Sequence, residues 1–518
     1  MTLAQVTTVK ERIDYPNDPL SLYQLITQDK AHSMLLESAE IESKDNIRSL
    51  ILTDAALSIR CSGYQLTFTA LTSNGETLLA PIADFFSDAT VELNERVLNI
   101  GLNKSTQPLD EDARLKSVSP LDGLRALIQH IDCGASPEFE DLFLGGVLAY
   151  DLIDTVEPLP IVAESENSCP DYLFYLAETL ITVDRQAETA KVITHRFSHQ
   201  QNCNQQYAEV LNTRVDKIKQ QVAELPEPIA LRPIDAEVNV NISDAEFCQH
   251  VKDLKEHVCA GDIFQVVPSR SFSLPCPNTL GAYRALRLTN PSPYMFYFRG
   301  DDFTVFGASP ESALKYETHT NQVEIYPIAG TRKRGKNSQG QIDADLDSRI
   351  ELELRLDKKE LSEHLMLVDL ARNDVARISQ SGTRKIPELL KVDRYSHVMH
   401  LVSRVTGQLR EDLDALHAYQ ACMNMGTLTG APKVSAAQLI RGVEKARRGS
   451  YGGAAGYVNG LGDMDTCIVI RSAFVKQGIA HIQAGAGVVY DSDPQSEADE
   501  TRQKAQAVIS AIKLGGGQ

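Results

Sequence analysis

Segments with the two-residue alternation of strands come in groups along this chain and are not regularly interleaved with helices, a grouping that limits the fold more than any other feature. A parallel sheet needs a helical crossover between neighbouring strands, so its sequence alternates strand and helix. Grouped strands pair through antiparallel connections instead. The expected fold is therefore α+β, with a largely antiparallel sheet core and not a doubly wound one. Strands are expected over 64–71, 172–183, 190–197, 304–307, 323–327, 395–405, 466–475 and 480–490. Helices are expected over 121–131, 204–224, 244–260, 357–376 and 494–513.

At 518 residues the chain exceeds the roughly 250–300 residues at which one core stops growing. Prolines 226, 228 and 233 interrupt a stretch without helical periodicity just after the helix over 204–224, which places a boundary near 225–240. Two domains follow, 1–235 and 236–518. A net charge of -19 argues against a polybasic nucleic-acid binder, so nucleic acid is not an expected partner. The opening residues lack the apolar core of a signal peptide, and no run approaches the ~18 apolar residues of a membrane helix. A cytoplasmic protein without membrane contact is expected. The nine cysteines are odd in number and never spaced C-x-x-C, the pattern of reduced thiols and not of a zinc site or a disulfide framework.

Two helices carry paired carboxylates. The last has a readable start, with Asp493 as N-cap and Pro494 in the first turn. Glu497 and Glu500 stand one turn apart on it and Lys504 one turn further, beside the apolar stripe of Ala505, Val508, Ile509 and Ile512. Glu360 and Glu363 repeat the spacing in DKKELSEHLMLVDLARND, where apolar residues lie nearly all round the helix. A buried carboxylate needs a cation or a proton. E-x-x-E in one helix is usually a solvated face, whereas two such pairs beside apolar stripes can jointly hold one Mg2+.

Other polar residues sit on apolar strands. Arg471 shares a strand face with Cys467, Val469 and Ala473 in the expected strand over 466–475. A guanidinium there answers either an internal glutamate or the carboxylate of a ligand, and Gly485 and Gly487 could bring backbone N–H groups to the same anion. His400 alternates with Val398 and Val402, which suits a satisfied core residue as well as an acid or base. The glycine-rich run over 449–462 lacks the Gly-Lys-Ser/Thr ending of a phosphate loop and reads as a tight turn before a strand.

Taken together, GDIFQVVPSR (261–270), NPSPYMFYF (290–298), FGASPES (306–312), IYPIAGTRKRG (325–335), DKKELSEHLMLVDLARND (357–374), KVDRYSHVMHLVSRV (391–405), MGTLTGAPK (425–433), SYGGAAGY (450–457), IRSAF (470–474), AGAGVVYDSDPQSEADET (484–501) and LLESA (35–39) resemble the chorismate-utilising enzymes, in family order across most of the chain. The resemblance implies a two-domain fold with a β-sandwich core and outer helices. It implies that Glu363 and Glu500 are direct Mg2+ ligands, with Glu360 and Glu497 nearby or acting through water. Gly330, Thr331, Thr427, Tyr451, Arg471, Gly485, Ala486, Gly487 and Lys504 would hold chorismate. Glu311 matches the general acid for the departing C4 hydroxyl, and His400 the histidine associated with pyruvate elimination. Glu37, Ser38, Pro293, Tyr294 and Met295 match a site for tryptophan as feedback inhibitor.

Two positions discriminate within the family. Isochorismate-forming and salicylate-forming members carry a lysine where this chain has Gln265, and aminodeoxychorismate synthases typically read PIKGT where it reads PIAGT. Ala329 offers no nucleophile and Gln265 no lysine to activate water. The resemblance therefore implies the anthranilate-forming branch, in which ammonia adds at C2 and pyruvate is then eliminated, with aminodeoxychorismate synthesis as the alternative. The chain shows no glutamine amidotransferase domain, so ammonia derived from glutamine implies a separate subunit and a hetero-oligomer. Lys333 stands where the family pattern has proline, in a loop position outside the proposed catalytic groups. The chain contains no tryptophan, which suits a protein that must be made when tryptophan is scarce.

Overall fold

The computed structural model describes residues 2–518 except 29, 39–47, 105–108, 200–204, 226, 229, 396 and 397. Ala39, Cys203, Asn204, Pro226, Ser396 and His397, which enter the sequence readings above, lie outside the described residues. Through the described residues runs one hydrogen-bonded network of 23 strands. Its strand-to-strand pairings are antiparallel apart from a short parallel contact of Ala4 and Gln5 with Ile131 and Asp132. The grouped strands of the sequence thus form the expected antiparallel architecture.

Side-chain alternation shows how the sheet is layered. Along Tyr172–Asp184, Leu173, Tyr175 and Ala177 point to one face and Phe174 and Leu176 to the other. The first set meets Phe296 and Phe298 of strand Tyr294–Arg299, with Val305, Val469 and Phe474, in one buried cluster. Tyr175 stacks on Phe298 there, with ring centroids 4.9 Å apart. Phe174 and Leu176 pack outward on Leu78, Ile82, Leu124 and Leu127 of helices Ser73–Phe85 and Asp122–His130. On the far side, Met295 and Tyr297 pack on Leu280, Tyr283 and Leu286 of helix Thr279–Thr289 and on Val508 and Ile512 of the final helix. Sheet faces sheet inside and helices cover the outside. Each large apolar side chain so buried contributes about 1.5–3 kcal/mol.

The two halves of the chain share the ladder. Strand Ser33–Glu37 pairs with Tyr294–Arg299, Glu37 opposite Met295. Strand Phe143–Leu148 pairs with Ala454–Asn459. The eight described cysteines are free thiols, and no described helix is long and apolar enough to cross a membrane.

Helix boundaries follow their caps. Asp244–Ala260 begins at Ser243, whose side chain accepts from Glu246 N–H, and stops at Gly261 in the left-handed region. The final helix runs Pro494–Gly515 from Asp493, which accepts from Ser496 N–H. Two strand readings need correction. The strand expected over 480–490 is Ile479–Gly485 and ends at the glycines. The single strand expected over 466–475 is two, Met464–Ile468 and Ser472–Lys476, separated by a turn in which Arg471 has φ 50°. The physical reason is a change of partner, since the first pairs with Ser312–Glu317 and the second with Phe303–Ser309.

Candidate active site

That partner strand is interrupted as well, at Pro310 and Glu311, so two chain breaks face one another. The Ile468 N–H donates to the Glu311 carbonyl at 3.0 Å, and the Ala308 N–H to the Arg471 carbonyl at 3.1 Å. The break takes Glu311 out of the ladder. Glu311 is 6% exposed. Burial pushes its carboxyl up to about 8, against the opposing pull of the Thr427 hydroxyl, the Ile328 backbone and Lys504. At neutral pH it holds a proton, as a general acid must. Thr427 lines the same cavity, and its buried hydroxyl faces the Glu311 carboxyl.

His400 lies on strand Val398–Gln408, where its Nδ1 is 2.9 Å from Thr331 Oγ1 on the neighbouring strand. The pairing slips between Ala329 and Thr331, and Gly330 at the slip has φ 75°. A side chain there would be strained, and a Cβ would come 3.1 Å from Glu360 Oε2. Burial, and then the Arg471 charge, lower the His400 imidazole to about 4. It is therefore neutral and able to accept a proton. The Tyr395 ring meets His400 edge-on at 5.3 Å, and Tyr395 is itself pushed upward by burial first, then by the charges of Asp393 and Glu311. Glu311 and His400 thus share one neighbouring tyrosine.

The two carboxylate helices, Lys358–Ile378 and Pro494–Gly515, bring Glu360, Glu363, Glu497 and Glu500 into one electrostatic neighbourhood. Glu363 is pushed up to about 7, by burial first, with Glu360, Glu497 and Glu500 adding to the shift against Lys359. Burial and Glu500 also raise Glu497. For Glu500, burial acts upward, but Lys504 at 2.6 Å, with Lys359 and Arg471, outweighs it and holds the carboxyl low. Arg332 takes Glu360 at 2.7 Å and Lys359 stands 3.8 Å from Glu363. Among the described residues no three His, Cys, Asp or Glu side chains converge on a metal position as they stand. The donor chemistry nevertheless fits a hard divalent cation: four carboxylates, with Glu363 driven up partly by the other three.

The strand face predicted for Arg471 is replaced by the turn, which sends its Nη1 to the Lys504 carbonyl at 2.9 Å. Burial lowers its pKa, and Tyr451 and Glu500 oppose that. Lys504 in turn donates to the Gly485 carbonyl at 3.0 Å. Gly485 is obligatory, since a Cβ would lie 2.7 Å from the Pro268 carbonyl oxygen and 3.1 Å from Tyr451 Oη. Ala486 N–H is already donated to Pro268 at 3.1 Å, so that amide is not available to a ligand anion. A Cβ on Gly487 would meet Gln265 Nε2 at 2.9 Å, and the Gln265 Oε1 beside it is buried without a partner. Tyr451, Arg471, Lys504, Gly485 and Gly487 are thus brought together.

Glu37, Ser38, Pro293 and Met295 meet at the ladder between the chain halves, while Tyr294 turns its hydroxyl to Asp465 at 3.2 Å. Ser38 Oγ donates to the Pro293 carbonyl at 3.1 Å. The buried Glu37 accepts from Arg185 at 2.8 Å and Tyr283 at 2.9 Å, with Arg287 at 3.3 Å. Sequence reasoning missed Tyr395, and also Asp374, which lines the Glu311 cavity. Asp374 was detectable as the acid within the buried stripe of Leu367, Ala371, Val375 and Ile378.

A raised acid, a lowered base, a carboxylate group suited to a cation and an arginine beside permissive glycines define an enzyme site for a small polyanion. The family model for chorismate binding enzymes matches residues 87–510, and the chain belongs to that family. Among its relatives, the anthranilate synthase component 1 of Vibrio cholerae is 59% identical over 512 residues, covering 98% of this chain and 97% of its own length. That of Escherichia coli is 54% identical, covering 96% and 95%. The crystal structure of anthranilate synthase component I from Streptococcus pneumoniae superposes with a TM-score of 0.67 at 28% identity, covering 96% of this chain and 99% of that one. The menaquinone-specific isochorismate synthase of Escherichia coli, at 18% identity and a TM-score of 0.63, covers 98% and 94% and shares the fold.

Proposed function

We propose that this chain converts chorismate and ammonia to anthranilate, pyruvate and water. The observation that carries this reading is a buried carboxyl pushed up to about 8, Glu311, and a buried imidazole lowered to about 4, His400, which have Tyr395 as a common neighbour, on a chain whose full-length relatives are named anthranilate synthase component 1. Glu311 donates its proton to the C4 hydroxyl, which leaves as water while ammonia bonds to C2. His400 accepts the C2 proton, the bond from the ring to the enolpyruvyl oxygen breaks, and the released enolpyruvate takes up a proton at carbon to become pyruvate. Aromatisation drives this second step. Arg471 and the backbone at Gly485 and Gly487 receive the enolpyruvyl carboxylate, with Tyr451 beside it, while Thr331 fixes the imidazole. Fixing both ends of the ring lowers the entropic cost of reaction.

Glu363 and Glu500, aided by Glu360 and Glu497, would hold Mg2+, which grips the ring carboxylate and neutralises charge there. Ala329 and Gln265 leave ammonia as the nucleophile, which favours this reading over aminodeoxychorismate synthesis. A separate glutamine amidotransferase subunit supplies that ammonia. Tryptophan inhibits at Glu37, Ser38, Pro293, Tyr294 and Met295. Its ammonium competes there with Arg185 and Arg287 for Glu37, so binding disturbs the ladder joining residues 1–235 to the catalytic part, 236–518. The test is incubation of the purified chain with chorismate, Mg2+ and ammonium. Anthranilate fluorescence is expected, and its absence with folded protein refutes the reading.

A further inference from the structure

A narrow cleft with about 20 Å3 of room for water lies beside Glu311, lined by Leu367, Leu370 and Met425 and by the polar residues Glu311, Ser312, Thr427 and Asp374. Thr427 Oγ1 is buried and its hydroxyl faces the Glu311 carboxyl. Asp374 pairs with Lys433 Nζ at 2.6 Å, and that ammonium also donates to the Cys422 carbonyl at 2.8 Å. The chemistry proposed above uses neither Asp374 nor Lys433. It does leave Glu311 as a carboxylate after every turnover, and a buried acid must recover its proton before it can act again. The charged and polar groups facing Glu311 are Thr427, the Ile328 backbone, Lys504 and Tyr395. Those facing Asp374 are Lys433, Arg377 and Cys422. Lys504 is committed to Glu500 and Gly485. The cleft is what joins Glu311 to a second ionisable carboxyl.

We propose that Asp374 reloads Glu311 with a proton through this cleft by way of the Thr427 hydroxyl, with Lys433 holding Asp374 in position. Asp374 takes a proton from solvent and passes it, directly or through water in the cleft, to Thr427 Oγ1, whose own proton moves to the Glu311 carboxylate. The charge balances, because the ammonium formed when ammonia adds at C2 gives one proton back to solvent per turnover. Burial raises the Asp374 carboxyl above its ordinary range against the pull of Lys433, which suits a group that carries and releases a proton.

The inference rests on the anthranilate-forming reading, and rapid-mixing kinetics of the full chain with chorismate, Mg2+ and ammonium separate the two. In Asp374→Asn the first turnover should proceed at the wild-type rate, giving a burst equal to the enzyme concentration. Steady-state turnover should then fall about 10²–10⁴-fold, the scale of a lost proton-transfer group. Imidazole, a small diffusible acid, should restore the steady state without changing the burst. Asp374→Glu should remain active. An equally slow first turnover, an unaffected steady state, or a slow steady state that imidazole cannot restore overturns the relay. A wild-type chain that forms no anthranilate overturns the parent reading, and the relay with it.

Discussion

The hydroxyl oxygen of Thr331 lies 2.9 Å from Nδ1 of His400, across neighbouring strands whose pairing slips at Gly330. This contact fixes the ring, while burial and Arg471 lower the imidazole to about 4 and keep it neutral. His400→Gln should therefore permit addition of ammonia but block loss of the C2 proton. Pyruvate release is expected to fall by about 10²–10⁴-fold, with an aminated, still enolpyruvyl-bearing intermediate visible by mass spectrometry. Unchanged pyruvate release would remove His400 from the base role.

The pH profile follows from two groups. His400 becomes able to accept a proton above about pH 4 and Glu311 ceases to be an acid above about pH 8. Turnover per unit of free ammonia should be level through neutrality and fall above about pH 8. On total ammonium, activity should rise with the free-base fraction and then bend over near the same pH.

Glu311 carries a stability cost of opposite sense to its function. Its folded pKa exceeds the unfolded value, so the stability tied to its bound proton is present in full at low pH and is lost as pH rises towards about 8. Glu311→Gln removes that loss. The variant should melt a few degrees above the parent at pH 8, match it more closely at pH 5, and have little or no activity at either. A lower melting temperature at pH 8 would contradict the burial argument.

For the carboxylate helices, Glu363→Gln or Glu500→Gln should abolish turnover with the fold intact, because each removes a charge from the group of four. The Mg2+ requirement should rise by more than the roughly 10–100-fold typical of losing an outer partner. Near-normal activity at limiting Mg2+ would refute the ligand assignment, with circular dichroism reporting the fold.

At the ladder between the halves, Ser38→Arg and Met295→Thr should each weaken inhibition by tryptophan while leaving turnover without it largely unchanged. Both positions lie beside the Glu37 cluster. Full tryptophan sensitivity in both variants would show that the inhibitor binds elsewhere.

What the sequence disclosed follows the range of the interactions involved. The final helix was legible because its start is local: Asp493 caps, Pro494 opens the first turn, and Glu497, Glu500 and Lys504 follow at helical spacing. The antiparallel core was legible from grouping. The turn at Arg471 was not, because its apolar flanks read as one strand and only the change of partner, from Ser312–Glu317 to Phe303–Ser309, breaks them apart. The proton held by Glu311 was invisible for the same reason, since it depends on burial by residues distant in the chain. Asp374 was overlooked because its meaning lies in the cavity it shares with Glu311 and Thr427.

The central claim, that free ammonia is the nucleophile on this chain, is tested most directly by product analysis after incubation with chorismate and Mg2+, using 15N-ammonium in 18O-water. With Ala329 and Gln265 offering neither an attacking amine nor an activator of water, the account predicts anthranilate carrying 15N and pyruvate in equal amount, with no 18O in the ring. An 18O-labelled isochorismate or salicylate, or a chorismate-derived adduct on the protein, would contradict it.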